Sequence, residues 1–437
     1  MCLDEREKLM CELKGKRLLV LGGSYCKDAI RQFADEYGVY LIAAGNSPDA
    51  GIVKVSDEYH NVNSTDSEHM SRLISHLKID GVYLGSSEPV INKAVTYVAE
   101  NGFPCYCTKE QWETLQNKGL LKELFQKFGL PVVPRYKYSY DQLDDKSAEI
   151  DFPVITKPAD GCGSSGFSVC NNIEELKKGY LSACENSASG EVIIEKYVDN
   201  KGIVAFFSFT EGKMVFLGAE DKYPRKYKED GSFVAGLLIF ESRFKEDFER
   251  RYCDKLAAMF SSLGLKEGTV WIEIFTNGEN YYFNEAGYRY GGSVTVYPID
   301  YLYGVNQVYA DMYYALTGKS NLYNYSSLLR DDMPQKRYYA IYPLYAAAGR
   351  IAAISGADEL YRLPSIAKVI VNKAEGDVIK NTGDFSQNLA LIHFVFDDKA
   401  ELDYTIDYIH RTFAVKDDKG NEALVGPVNT DDLNICL

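Results

Sequence analysis

Histidine is scarce, tryptophan scarcer, and paired cysteines are missing: the chain has five His, two Trp and no CxxC motif in 437 residues. His60, His69, His76, His393 and His410 all lie away from the motifs described below, which excludes a His-based triad or a zinc centre. The ten cysteines are scattered, so reduced and mostly structural thiols are expected. Cys105 and Cys107 alternate on an expected strand, but no His or second pair supports a metal site there. Cys162 falls in a glycine loop open to reagents. No apolar run reaches the roughly 18 residues that cross a bilayer. The start, MCLDEREKLMCELKGK, has no apolar signal core, so a cytoplasmic chain with no membrane partner is expected. Basic charge is also short. The formal net charge of -15 argues against unaided binding to nucleic acid or to an anionic membrane surface. A local basic pocket for a nucleotide is still allowed. Tyrosine is abundant at 34 residues, for no reason that composition supplies.

The length suits two or three domains. Within residues 16–108, strands are expected at Arg17–Leu21, Val39–Ala44, Gly81–Leu84 and Pro104–Cys107, with helices over 27–37, 67–78 and 89–101. This rhythm predicts a parallel, doubly wound sheet. The Gly22-Gly23 turn lacks GxGxxG spacing and reads as structural. Residues 109–130 read as helical, with Thr108 as N-cap and Gln111 at N3. Further helices are expected at 245–263, at 301–318 (Tyr-rich, stopped by Gly318) and near 398–413. The stretch 319–336 reads as a linker. Residues 372–384 look like a hairpin in a mixed α/β C-terminal region.

The most informative stretch is a pair of strands. Trp271–Phe275 and Tyr282–Arg289 each carry one carboxylate in an apolar or aromatic run, and Asn277-Gly278 marks a turn between them. A loop of about five residues would put Glu273 opposite Glu285; a shorter one would leave them diagonal. Two carboxylates that close repel unless a cation lies between them. Hard oxygen donors on rigid strands suit Mg²⁺, whose other positions go to water and phosphate oxygens. Arg289 follows, and Gly291-Gly292-Ser293 leaves the backbone open to a ligand. The bland alternative is a half-exposed hairpin with its acids in water.

Upstream, Val154–Pro158 is a strand ending in Lys157-Pro158 that runs into Asp160–Gly166. The loop matches G-x-G-x-x-G, but a strand, Phe167–Cys170, follows it, and the helix starts only after Asn172. A dinucleotide loop would open a helix directly. Strand, glycine loop and strand instead form a flap whose backbone N–H groups can close over phosphates. Lys157 at its root and Lys118, after Asn117, are candidate phosphate cations. Glu191–Asp199 is a strand running into a connector. Its backbone can read an adenine edge, with Glu195 or Lys196 bonding the exocyclic amine or N7.

Taken in order, Asn117-Lys118, Lys157-Pro158 with the glycine loop, Glu195-Lys196-Tyr197-Val198, Glu273 and Asn284–Arg289 with Gly291-Gly292-Ser293 resemble the ATP-grasp superfamily, in its carboxylate–amine ligase and biotin-carboxylase-like branch. The likeness covers roughly residues 16–320. Glu375–Val378 and Thr382–Phe385 look like the carboxy-terminal domain of such members. The resemblance implies an α/β and α+β fold. A Rossmann-like domain (1–108) would precede an ATP-grasp domain (109–320, lid about 150–215) and a C-terminal mixed α/β domain (335–437) that completes the core. It implies ATP and Mg²⁺ as cofactors, with Mn²⁺ as an alternative ion. Lys118, Lys157, Gly163, Ser164, Ser165 and Gly166 would bind phosphates, and Glu195, Lys196 and Val198 would lie along the adenine. Glu273 and Glu285 would hold the metal, Arg289 would be catalytic and face an acyl phosphate, and Gly292 and Ser293 would touch substrate. Two departures stand out. Gly287 replaces the Asn of the usual Asn-Pro-Arg ending, so the second metal's amide oxygen is missing. Lys201–Ala205 lacks the acid of the usual Gly-x-Glu, for which Asp199 could substitute.

The expected activity is ATP-dependent joining of a small-molecule carboxylate to an amine through an acyl phosphate, with release of ADP. A bicarbonate- or formate-activating enzyme is the second reading; no Met-Lys-Met biotin attachment motif is present. A nucleotide-binding module that has lost catalysis is the third, favoured by Gly287 and opposed by the retained lysines, acids and Arg289. Similarity also implies a homodimer.

Overall fold

The computed structural model describes residues 3–22, 24–159, 166–187, 189–198, 202–226, 233–320, 338–383, 385–433 and 435. The first region builds a parallel sheet from β1 (Arg17–Val20), β2 (Tyr40–Gly45), β3 (Glu58–Asn61) and β4 (Gly81–Tyr83), in the order β3-β2-β1-β4. Helices Lys27–Tyr37 and Ser67–His76 lie between these strands, and Glu88–Glu100 follows β4, at the places where the sequence rhythm predicts helices. β3 has the polar sequence Glu-Tyr-His-Asn at the sheet edge, so apolar patterning gives no sign of it. The expected strand at 104–107 is absent. That segment is held instead by a reciprocal side-chain tie: Tyr106 donates to the Tyr288 carbonyl and Tyr288 to the Tyr106 carbonyl, each at 3.0 Å.

The helical stretch after Thr108 is two helices. Thr108 and Gln111 form the predicted capping box on Lys109–Gln116. Asn117 ends that helix and caps the next, Lys118–Lys127, by accepting from the Gly119 and Leu120 N–H groups. A small lid sheet follows, with β5 (Arg135–Tyr136), β6 (Val154–Pro158), β7 (Ser168–Cys170) and β8 (Val192–Lys196) in the order β5-β8-β6-β7. Helix Ile173–Glu185 packs on it over a core that includes Leu143, Val154, Cys170, Leu176 and Ile194. The lid strands stop at Lys196, short of the expected 215, because the next strands pair elsewhere.

Those strands are β9 (Ile203–Thr210), β10 (Lys213–Lys226), β11 (Phe233–Phe240), β12 (Gly268–Thr276) and β13 (Tyr281–Gly287). The C-terminal region adds β14 (Tyr338–Tyr345), β15 (Gly349–Ser355), β16 (Ile366–Val371), β17 (Val378–Ile379), β18 (Asn388–Phe396) and β19 (Ala414–Asp417). An eight-stranded antiparallel sheet runs β13-β12-β9-β10-β11-β14-β18-β16, so the C-terminal region completes the central sheet. The described part of the segment 372–384, residues 372–383, is not a hairpin; β17 pairs with β15 in a separate three-stranded sheet with β19. Helix Lys245–Ser262 buries Phe248, Leu256, Met259 and Phe260 in the same cluster as Ile203, Ala205, Phe207, Val270, Ile272 and Ile274. The opposite face of β9 and β12 carries Val204 and Phe206, which belong to a second core cluster, together with Trp271 and Glu273. The Tyr-rich helix is two pieces, Val296–Tyr303 and Gln307–Thr317, parted at Gly304 (φ 65°) and ended by Gly318 (φ 66°) as predicted. No helix among the described residues is long and apolar enough to cross a membrane.

Candidate active site

The two acids meet as the hairpin argument requires, by a route the sequence does not show. Thr276 pairs with Tyr281, leaving a four-residue loop, and in simple register Glu273 would then face Asn284. A β-bulge intervenes: Ile274 pairs with Phe283 and Glu273 with Glu285, so Asn284 is the extra residue. The bulge puts both Asn284 and Glu285 beside Glu273. Asn284 Nδ2 donates to Glu273 Oε2 at 2.8 Å.

Register carries the row further. Glu273 lies opposite Val204 on β9, and Val204 lies opposite Glu220 on β10. Directly paired residues share a face, so Glu285, Glu273, Val204 and Glu220 line up across four strands. Lys222, two residues from Glu220, points the same way and its Nζ pairs with Glu273 Oε1. Lys118 Nζ, at the start of its helix, lies 3.4 Å from Glu285 Oε2. Burial pushes the Glu273 carboxyl up, but Lys222, Asn284 and the Lys118 charge outweigh it and hold it below the usual carboxylate range. Burial pushes Glu220 up to about 8, aided by Asp221 and Glu273 and opposed by Lys222.

These residues suit a divalent cation. Each of the two facing carboxylates already takes an ammonium, and Asn284 is a further oxygen donor beside them. Among the described residues no group of three or more His, Cys, Asp or Glu side chains is placed to hold a metal alone. A two-carboxylate set that leaves positions for water and phosphate is the pattern for Mg²⁺. Gly287 has a spatial cause. It pairs with Trp271, and a Cβ there would lie 2.4 Å from the indole. The Trp271 ring fills the place of an amide side chain and stacks under the Arg289 guanidinium, 5.3 Å away. Arg289 is also gripped by Glu88 Oε1 at 2.6 Å and donates to the Tyr290 carbonyl at 2.9 Å.

On the lid, Glu195 is 5 % exposed and lies between Lys157 (2.7 Å) and Lys122 (3.0 Å). Burial raises its pKa, and the two lysines more than reverse that. The Lys196 ammonium is engaged by the Asp151 and Phe152 carbonyls (3.1 and 3.0 Å) and the Asp151 carboxylate, so it does not join Glu195. The Val198 N–H has no partner among the described residues. Gly166 (φ 72°) ends the glycine loop, where a Cβ would lie 2.9 Å from Asn186 and 3.0 Å from Pro158. Gly163, Ser164 and Ser165, like Cys162 and Asp199, lie outside the described residues.

A cavity of about 230 Å³ opens beside the acid row. Val204, Phe206, Leu238, Trp271 and Phe385 give it apolar walls; Glu220, Lys222, Glu273, Glu285, Gly292 and Ser293 supply polar groups. Val294, next to Ser293, holds a β-branched side chain at φ 62°, a strained conformation of the kind found near binding sites. Sequence reasoning missed Glu88, Lys122, Glu220 and Lys222. Lys122 had a signal, since it follows Lys118 by one helical turn. So did Glu220–Lys222, three charges breaking an apolar strand.

A family profile described as "Carbamoyl-phosphate synthase L chain, ATP binding domain" matches residues 117–206. The phosphoribosylamine–glycine ligase of Methanopyrus kandleri is 27% identical over 258 residues, 54% of this chain and 57% of that one. The chain spans about half the length of the curated relatives it matches. Phosphoribosylglycinamide synthetase from Anaerococcus prevotii superposes with a TM-score of 0.73 at 16% identity, over 92% of this chain and 99% of that one. The biotin carboxylase domain dimer of Hydrogenobacter thermophilus 2-oxoglutarate carboxylase, solved with MgADP and bicarbonate, gives 0.68 at 17% identity, over 93% and 91%. The chain has the fold of phosphoribosylglycinamide synthetase and of biotin carboxylase domains, and its residues 117–206 match an ATP-binding-domain profile.

Proposed function

We propose that this chain is an ATP- and Mg²⁺-dependent ligase that activates a carboxylate as its acyl phosphate, joins it to an amine and releases ADP. The observation that carries the reading is the register-paired Glu273 and Glu285, flanked by Lys118, Lys222 and the clamped Arg289. A carboxylate is a poor electrophile because its leaving group would be oxide. Phosphorylation supplies a better one, and holding two anions in line requires cations. Glu273 and Glu285 would hold Mg²⁺, which when bound neutralises phosphate oxygens. Lys118 and Lys157 would hold phosphates. Glu195 and the Val198 N–H would border the adenine. Arg289, oriented by Glu88 and Trp271, would face the acyl phosphate, with Gly292 and Ser293 beside the substrate. Mn²⁺ is the alternative ion. A homodimer is proposed on the likeness to the Hydrogenobacter domain, itself a dimer.

The test is phosphate release from ATP across a panel of carboxylates and amines, with hydroxylamine as a trap for the acyl phosphate. Hydroxamate formed with one acid class, and ADP formed in step with it, supports the reading; ATP turnover indifferent to every acid opposes it. The second reading, bicarbonate activation, is favoured by the neighbour solved with bicarbonate. It predicts bicarbonate-dependent turnover without an amine. The apolar walls of the cavity fit it less well, since bicarbonate has no apolar surface to bury.

A further inference from the structure

Glu220 is the one member of the cross-sheet acid row whose pairing the reaction scheme above leaves unexplained. Its side chain is 3 % exposed, yet neither carboxylate oxygen has a hydrogen-bond or ion-pair partner among the described residues. A buried carboxyl without a hydrogen-bond partner is costly even when protonated, and such an exception needs a cause. Glu220 lines the 230 Å³ cavity, on the side across Val204 from the proposed metal carboxylates. The ammonium nearest in charge terms, Lys222, is already on Glu273. Val204 lies directly opposite Glu220, and Phe206, Leu238 and Phe385 line the same cavity. A carboxylate set among apolar walls recognises a small organic cation, with the charge on the acid and the hydrocarbon on the walls.

We propose that Glu220 seats the ammonium group of the acceptor amine, and that the acceptor is a small alkyl- or aminoacyl-type amine with an apolar substituent. The assignment rests on the ligase reading for the word acceptor, but not for the binding itself. The volume, below the roughly 300–1,000 Å³ of pockets for drug-sized ligands, limits the amine to a compact molecule. Position fits the role: the amine would sit on the same sheet face as Glu273 and Glu285, two strands over from Glu273, within the cavity that Gly292 and Ser293 also line.

Trp271 makes this testable without any turnover. It lines the cavity, and the chain has only one other tryptophan, Trp112, which is buried at a different site. The two indole N–H signals in a ¹⁵N-correlated NMR spectrum of the full chain can be assigned with Trp112→Phe. n-Butylammonium, n-butanol and n-butyrate are then titrated in turn, with and without Mg²⁺-ADP. The expected result is a saturable shift of the Trp271 signal with n-butylammonium alone, in both conditions. It should weaken about tenfold or more in the isosteric Glu220→Gln variant, the weight of one charge-assisted bond. The Trp112 signal, unmoved between wild type and variant, reports that the fold is intact. Three outcomes overturn the proposal: equal response to n-butanol, unchanged n-butylammonium affinity in Glu220→Gln, or binding abolished by Mg²⁺-ADP, which would show that Lys222 turns to neutralise Glu220 once displaced. Failure of the phosphate-release panel with this shift present would sink the ligase reading and leave the cation seat. The reverse pattern would sink only the seat.

Discussion

Trp271 decides more at the residue scale than its strand position suggests. Its indole closes the space over Gly287, supports Arg289 from below and lines the cavity. The missing amide at 287 is therefore a packing solution. Gly287→Asn should not restore a metal ligand. It should destabilise the hairpin by about 1–3 kcal/mol, the range for overpacking a filled site, seen as a lower urea midpoint; an unchanged midpoint would mean that the indole moves aside freely. Glu285→Gln should lower turnover by about 10²–10³-fold, as for loss of one preorganised electrostatic group, and should raise the Mg²⁺ concentration needed. Full activity with an unaltered Mg²⁺ dependence would refute its role. At the candidate site Glu273, Glu285 and Arg289 were legible as charges standing out in apolar strands. Their partners were not. Glu88 reaches Arg289 across 201 positions, and no local pattern marks such a contact.

Element boundaries followed the caps. Thr108 with Gln111, Asn172 and Gly318 sit where their chemistry predicts. The breaks at Asn117 and Gly304 were missed because the apolar spacing continues across them and only the cap side chain or the positive φ reveals the stop. The bulge at Asn284 was equally hidden, since a bulge and a longer loop produce the same Glu273–Glu285 pairing. Strand partners in the eight-stranded sheet depend on contacts far apart in sequence, which explains the misplaced lid boundary. The lid is tied to helix Lys118–Lys127 by the half-buried Lys122–Glu195 pair. Lys122→Met should therefore speed limited proteolysis within 134–198 about two- to fivefold, matching roughly 0.5–1 kcal/mol for a partly exposed pair. Equal rates would show that Lys157 alone holds the lid acid.

Across the whole molecule, the three regions are joined through buried tyrosines and charges, which gives the tyrosine excess a structural use. Tyr83 of the parallel sheet and Tyr290 beside the site share a hydroxyl–hydroxyl contact, and Lys368 of β16 pairs with Asp28. His393, fully buried on β18, is pushed down to about 3 by burial and, secondarily, by Lys368. Its unfolded value is near 6.5, so between those values the unfolded chain binds the extra proton and stability falls as pH drops. The loss from His393 should be about 2 kcal/mol at pH 5 relative to neutral pH. Burial lowers His410 to about 4, which acts in the same direction. Urea midpoints at neutral and acid pH should converge for His393→Gln relative to wild type; an identical pH dependence would contradict the assignment. The central claim is that the acid pair on β12 and β13 grips a divalent ion. Anomalous diffraction from crystals soaked with Mn²⁺ and ATP tests it most directly. The account predicts a manganese peak between Glu273 and Glu285, with Lys222 and Lys118 drawn off onto phosphate. Manganese bound elsewhere, with Lys222 still on Glu273, would contradict it.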